Sequence, residues 1–169
     1  KAEADPSGRL LEYRPLRFAV RPEIHRGDNL IDTDRINSQE CDVLDLEFAW
    51  LHGPFRLESE FVYTAVNEVG SGSTELFGAY CLASCFLTGE QRTYNRTAAV
   101  FDEVIPLENF WIVPTPCGNA AGWGAWEVAA RWSYMDFSDV AGQQLHDFTL
   151  GLNWYWNPRT RLMFNWIHP

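Results

Sequence analysis

The chain has 169 residues, a hydrophobic fraction of 46%, an aromatic fraction of 15%, eight Trp and a formal net charge of -10. That length suits one ordinary domain, and the apolar and aromatic content excludes a disordered chain. The acidic balance excludes a nucleic-acid partner, which needs a basic footprint. Mean hydropathy is -0.25, so polar residues dilute the apolar ones throughout. No run approaches the roughly 18 apolar residues of a spanning helix.

Period-2 alternation marks the segments in chain order. In "YRPLRFAVRPE" (13–23), Leu16, Phe18 and Val20 alternate with Arg17, Ala19 and Arg21. In "VLDLEFAWLHG" (43–53), Leu44, Leu46, Phe48 and Trp50 alternate with Asp45, Glu47 and Ala49. In "FRLESEFVYTAV" (55–66), Phe55, Leu57, Phe61 and Tyr63 alternate with Arg56, Glu58, Glu60 and Thr64. "LFGAYCLASCFLTG" (76–89) sets Phe77, Ala79, Cys81, Ala83, Cys85 and Leu87 on one face. "GAWEVAARWSYMDFSD" (124–139) sets Trp126, Val128, Ala130, Trp132 and Tyr134 against Glu127, Ala129, Arg131 and Ser133. In "DFTLGLNWYWNP" (147–158), Phe148, Leu150, Leu152, Trp154 and Trp156 alternate with Asp147, Thr149, Gly151, Asn153 and Tyr155. In "TRLMFNWIH" (160–168), Leu162, Phe164 and Trp166 alternate with Arg161, Met163 and Asn165. About seven strands are predicted. They are longer than the usual globular strand and near the roughly 9–11 residues of a tilted bilayer crossing.

The connections "HGP" (52–54) and "NPRT" (157–160) read as tight turns, while 22–42, 67–75 and 138–146 read as longer polar loops. Short turns on one side and long loops on the other mark an outer-membrane barrel. The connection 88–123 falls on the short-turn side but is long and carries Tyr94, Phe101, Phe110 and Trp111. It is expected to fold back, most simply into a barrel mouth. The sequence starts at Lys1 and stops at "NWIHP" within a predicted strand, so it is expected to be a piece of a longer protein.

Alternation alone fits a soluble sandwich with its aromatic face inward, or a membrane barrel with that face toward lipid. Aromatics near strand ends (Trp50, Trp154, Trp156, Trp166) resemble interfacial girdles and favour the barrel. The polar face then becomes the lumen wall, with Arg17, Arg21, Arg56, Arg131 and Arg161 against Asp45, Glu47, Glu58, Glu60 and Glu127.

The segment 124–139 followed by "DFTLGLNWYWNPRTRLMFNWIH" (147–168) closely resembles the phosphate-selective porin O/P family. So do "FLTGEQRTYNR" (86–96) and "LEFAWLHGPFRLESEFVYT" (46–64). The resemblance implies an all-β fold, an antiparallel transmembrane β-barrel of about sixteen strands, in the bacterial outer membrane. It implies a homotrimer that passively admits small solutes, with anions such as phosphate in the best-known members. Residues 1–169 would be the C-terminal portion of one barrel domain, with 88–123 as a long inserted segment. The family's inward-folding segment corresponds to 88–123, where Arg92, Tyr94 and Arg96 are candidates for a constriction or for anchors to the lumen wall. The lumen charges here balance, five Arg against five acids, and the excess acid falls at Asp28, Asp32, Asp34, Glu40, Asp102, Glu103 and Glu108.

Nothing in the pattern asks for catalysis, a cofactor or a metal. His25, His52, His146 and His168 are scattered, and "GSGST" (70–74) lacks the lysine of a P-loop. Glu58 and Glu60 imitate a carboxylate pair but read as charged wall residues. "NRT" (95–97) is a sequon without meaning in a bacterial membrane, and "DTD" (32–34) reads as a solvated acidic loop. Cys81 and Cys85 sit roughly 13 Å apart on one strand face and cannot bridge. All four cysteines read first as free thiols acting as small apolar residues; Cys41 and Cys117 are expected in loops, where they could pair, although nothing in the sequence requires it. Two rival functions stand beside the diffusion channel: a soluble Trp-rich β-sandwich binding carbohydrate, and a barrel that is mainly structural.

Overall fold

A computed structural model describes residues 14–20, 31–33, 36–68, 70, 72–98, 100–111 and 113–169. The strands are β1 (Arg14–Leu16), β2 (Ala19–Val20), β3 (Ile31–Asp32), β4 (Ile36–His52), β5 (Phe55–Glu68), β6 (Gly72–Phe86), β7 (Tyr94–Asn95), β8 (Val100–Phe101), β9 (Val113–Thr115), β10 (Gly118–Ala120), β11 (Ala125–Phe137), β12 (Gln143–Asn157) and β13 (Thr160–His168). One helical turn, α1 (Ser138–Ala141), precedes β12. Seven strands form one sheet in the order β1-β4-β5-β6-β11-β12-β13. Among the described residues no helix is long and apolar enough to cross a membrane.

The alternation read from the sequence is the alternation of the sheet. β12 and β13 pair antiparallel, with Leu150 opposite Trp166, Leu152 opposite Phe164 and Trp154 opposite Leu162. The intervening positions pair Gly151 with Asn165, Asn153 with Met163 and Tyr155 with Arg161. Apolar thus meets apolar on one face, and the other face carries the polar residues with Gly151 and Met163 among them, the cross-strand matching that sets register. The β4–β5 turn places Gly53 at φ 56, where a Cβ would be strained.

Three expectations change. The strand predicted over 13–23 breaks after Leu16: β1 joins the large sheet, whereas β2 pairs with β3. Local bonds replace the ladder there. The Phe18 N–H donates to Thr33 Oγ1 at 2.9 Å, the Thr33 N–H donates to the Phe18 carbonyl at 3.0 Å, and Arg17 grips Asp32. The connection predicted at 67–75 is mostly strand, because β5 runs to Glu68 and β6 starts at Gly72, and 138–146 divides between α1 and the start of β12 at Gln143. Backbone pairing needs no apolar side chain, so polar ends such as "STE" and "QQLHD" extend the ladder. Cys41 lies inside β4, not in a loop, and Cys117 sits in the β9–β10 turn; all four cysteines are free thiols.

The residues group into two compact units. One comprises 1–46, 61–79 and 134–146. Its core joins Leu76 and Phe137, with Phe18, Val140 and Leu145 packed against them. The other comprises 47–60, 80–133 and 147–169. Its core joins Phe86, Ala125 and Tyr155 to Val104 of the 88–123 segment. Many of the large aromatics predicted to face lipid stay exposed, among them Phe48, Trp50, Trp132, Phe164 and Trp166, whereas Trp126, Tyr134, Trp154 and Trp156 are half-buried. A sandwich would have covered them with a second sheet.

Candidate functional site

The polar face in the second unit converges on Glu127. Alternation points Glu127 away from its neighbours Trp126 and Val128, and it is only 1% exposed. A carboxylate stripped of water must regain its hydrogen bonds from the protein. Two neighbouring strands supply them. Ser84 Oγ of β6 donates to Oε1 at 2.8 Å. From β12, the Tyr155 hydroxyl and Asn153 Nδ2 donate to Oε2 at 2.8 and 3.0 Å. The charge is met by Arg92, whose Nη2 lies 3.3 and 3.2 Å from the two oxygens and 3.0 Å from the Tyr155 hydroxyl.

Arg92 belongs to the connecting segment, so this pair fastens the segment across the sheet. More contacts do the same. The Leu87 N–H donates to the Trp126 carbonyl at 2.7 Å, and the Trp126 N–H donates to Thr88 Oγ1 at 3.0 Å. Glu90, also buried, accepts from Thr88 and, at 3.2 Å, from the Leu107 N–H. Phe101 lies 4.5 Å from the Arg56 guanidinium, a cation–π contact. Gly124, at φ 68, closes the return to β11: a Cβ there would stand 2.3 Å from the Tyr155 carbonyl oxygen.

The other predicted wall residues divide by cover. Arg56 and Glu58 form an ion pair, with Glu58 buried and Glu60 half-buried beside it. Arg131 lies over the Tyr80 ring at 4.7 Å. Arg161 reaches the Tyr155 hydroxyl at 3.5 Å and joins Arg92, Asp102, Glu103 and Arg159 in lining a cavity of about 310 Å³. Asp45 and Glu47 are exposed on β4. Arg17 is exposed in its pair with Asp32, in the other unit and outside the seven-stranded sheet. Arg21 lies outside the described residues.

The three constriction candidates separate. Arg92 is an anchor, whereas Tyr94 and Arg96 are exposed, Tyr94 resting edge-on against Phe101 at 5.1 Å. Sequence reasoning missed Ser84, Asn153 and Tyr155 as partners of Glu127. Parity had put Asn153 and Tyr155 on the polar face, but nothing in one dimension says which polar residues on three strands meet.

The profile of a family described as phosphate-selective porin O and P matches residues 2–169. The chain belongs to that family. It is an all-β porin chain of the bacterial outer membrane. It is also similar to Porin O of Pseudomonas aeruginosa, at 30% identity over 133 residues, which is 71% of this chain and 28% of that protein. The porin chain therefore spans less than a third of the length of this relative.

Proposed function

We propose that the chain forms part of the wall of a passive diffusion channel for small solutes. The observation that carries this is the division of its faces. Charged side chains gather on the face that the 88–123 segment covers, while Trp, Phe and Leu lie exposed on the other. A bilayer wants the second face outward, and water and solutes want the first inward. No bond is made or broken; the wall supplies shape and field.

The 169 residues act as the C-terminal portion of one larger barrel of about sixteen strands, which assembles as a homotrimer. Two observations support a larger whole. Among the described residues β13 has a single strand neighbour, β12, and hydrocarbon does not tolerate an unpaired strand edge. The chain also covers only 28% of Porin O. Within the channel, Arg56, Arg131 and Arg161 line the wall with Glu58, Glu60, Glu127, Asp45 and Glu47. Tyr94 and Arg96, exposed on the segment that Arg92 anchors, narrow the passage. Small anions, phosphate among them, are the solutes that the family description supports.

Planar-bilayer recording of the full-length protein tests this reading. Discrete conductance steps are expected, with a reversal potential displaced toward anions in a salt gradient. A protein that inserts without any discrete conductance overturns the channel. Steps with no anion preference overturn the choice of solute alone.

A further inference from the structure

The connecting segment serves both sides of the strands it covers. Its first part meets the polar side, through Arg92 on Glu127 and Tyr155. It then runs past the β12–β13 turn, where Asp102, Glu103 and Val104 line one cavity with Pro158, Arg159 and Thr160. Its second part meets the opposite side. Trp154 and Trp156 alternate with Tyr155, and the Phe110 ring lies 4.6 Å from the first and 5.4 Å from the second. The Phe110 N–H donates to the Trp156 carbonyl at 2.7 Å. Trp154 Nε1 donates to the Trp123 carbonyl at 2.8 Å, and the Trp154 ring stacks on Trp126 at 4.7 Å.

Two large rings lie at the rim of this aromatic cluster, Trp111 edge-on to Phe110 at 5.8 Å and Trp123 through its carbonyl on Trp154. Trp111 is 70% exposed and Trp123 is 75% exposed. Trp111 also holds a left-handed backbone, φ 82, which is costly for a bulky L-residue. Its N–H donates to the Gly122 carbonyl at 3.2 Å, tying the two Trp-bearing stretches together. Strain that presents an indole to open surroundings needs a partner that favours indole. The headgroup–acyl boundary of a bilayer is such a partner, because the ring is apolar and its N–H finds acceptors there.

We propose that Trp111 and Trp123 are membrane-interface anchors, which extend the aromatic belt of β11 and β12 onto the connecting segment. The surface they bind is the phospholipid headgroup–acyl boundary. Continuity with Trp126, Trp154 and Trp156 carries the assignment, and it rests on the reading that the Trp-bearing strand face meets lipid. The segment is thereby clamped around the end of the sheet, by an ion pair on one side and by lipid on the other.

The test uses the full-length protein in liposomes whose acyl chains carry bromine either near the carbonyls or near mid-chain. The emission of each ring is the difference between the protein and its Trp111→Phe or Trp123→Phe variant. Trp132→Phe reports a mid-strand ring on the lipid side. Trp111 and Trp123 are expected to lose most emission to the shallow bromine, little to the deep one and little to aqueous iodide. Quenching by iodide alone places the rings in water and overturns the proposal. Quenching by none of the three means that protein, such as a second copy of the chain, covers them, and overturns it as well. If Trp132 responds to the deep bromine in either case, the lipid-facing reading survives. If Trp132 is also unquenched, both fall.

Discussion

Glu127 on β11 and Glu47 on β4 occupy the same place in their local patterns. Each is an acid between apolar residues, on the polar parity of a strand. Their surroundings differ completely. Glu127 is buried under Arg92 and accepts from Ser84, Asn153 and Tyr155, whereas Glu47 is exposed on β4. Parity sets the face, and cover sets the energy. In water a carboxylate keeps its hydration and its neighbours matter little. Under cover, every lost water contact has to be replaced.

Glu127→Ala should have the largest effect, a loss of about 3–5 kcal/mol, because it leaves Arg92 buried without its counter-charge. Urea unfolding of the full-length protein in detergent would measure it. Replacing Arg92 and Glu127 together by apolar residues of similar volume should restore much of the loss. A Glu127→Ala protein as stable as wild type would mean that the cover is not closed and the two sites are alike.

Val128→Arg takes the comparison to the opposite face. It puts a charge on the proposed lipid side, two residues in from Trp126, and should cost about 1–3 kcal/mol, less than the same change at the bilayer midplane. The yield of heat-modifiable folded protein reports it, and tolerance equal to that of Arg131→Ala would invert the face assignment. Gly124→Ala tests the cover itself. Its Cβ would collide with the Tyr155 carbonyl at a left-handed position, so a loss of about 1–3 kcal/mol is expected. Loosened cover should also bring proteolysis within 88–123. Glu47→Ala should be the smallest change, within about 0.5 kcal/mol by the same urea titration.

Much of the strand pattern was legible because side chains alternate with strict period 2, and the β12–β13 register follows the pattern from Phe148 to Tyr155 before it shifts ahead of Asn157. The ends were less legible. Thr, Ser, Gln and Glu at 67–75 and 138–146 read as loop, yet strand pairing bonds backbone to backbone and continues through them. The segment 88–123 was legible only as too apolar to be plain disorder. That Arg92 anchors while Tyr94 and Arg96 stay exposed could not be read from "RTYNR", since all three residues are equally able to bond or to face water.

By itself the sequence determined the all-β class, the face of each long strand and the family, because each depends on local alternation and on the identity of successive residues. The tertiary structure alone decided that Glu127 is the buried centre of the polar face. It also decided that one connection reaches both faces of β12. Those facts depend on which residues distant in the chain come within hydrogen-bond reach, and on what then excludes water from them.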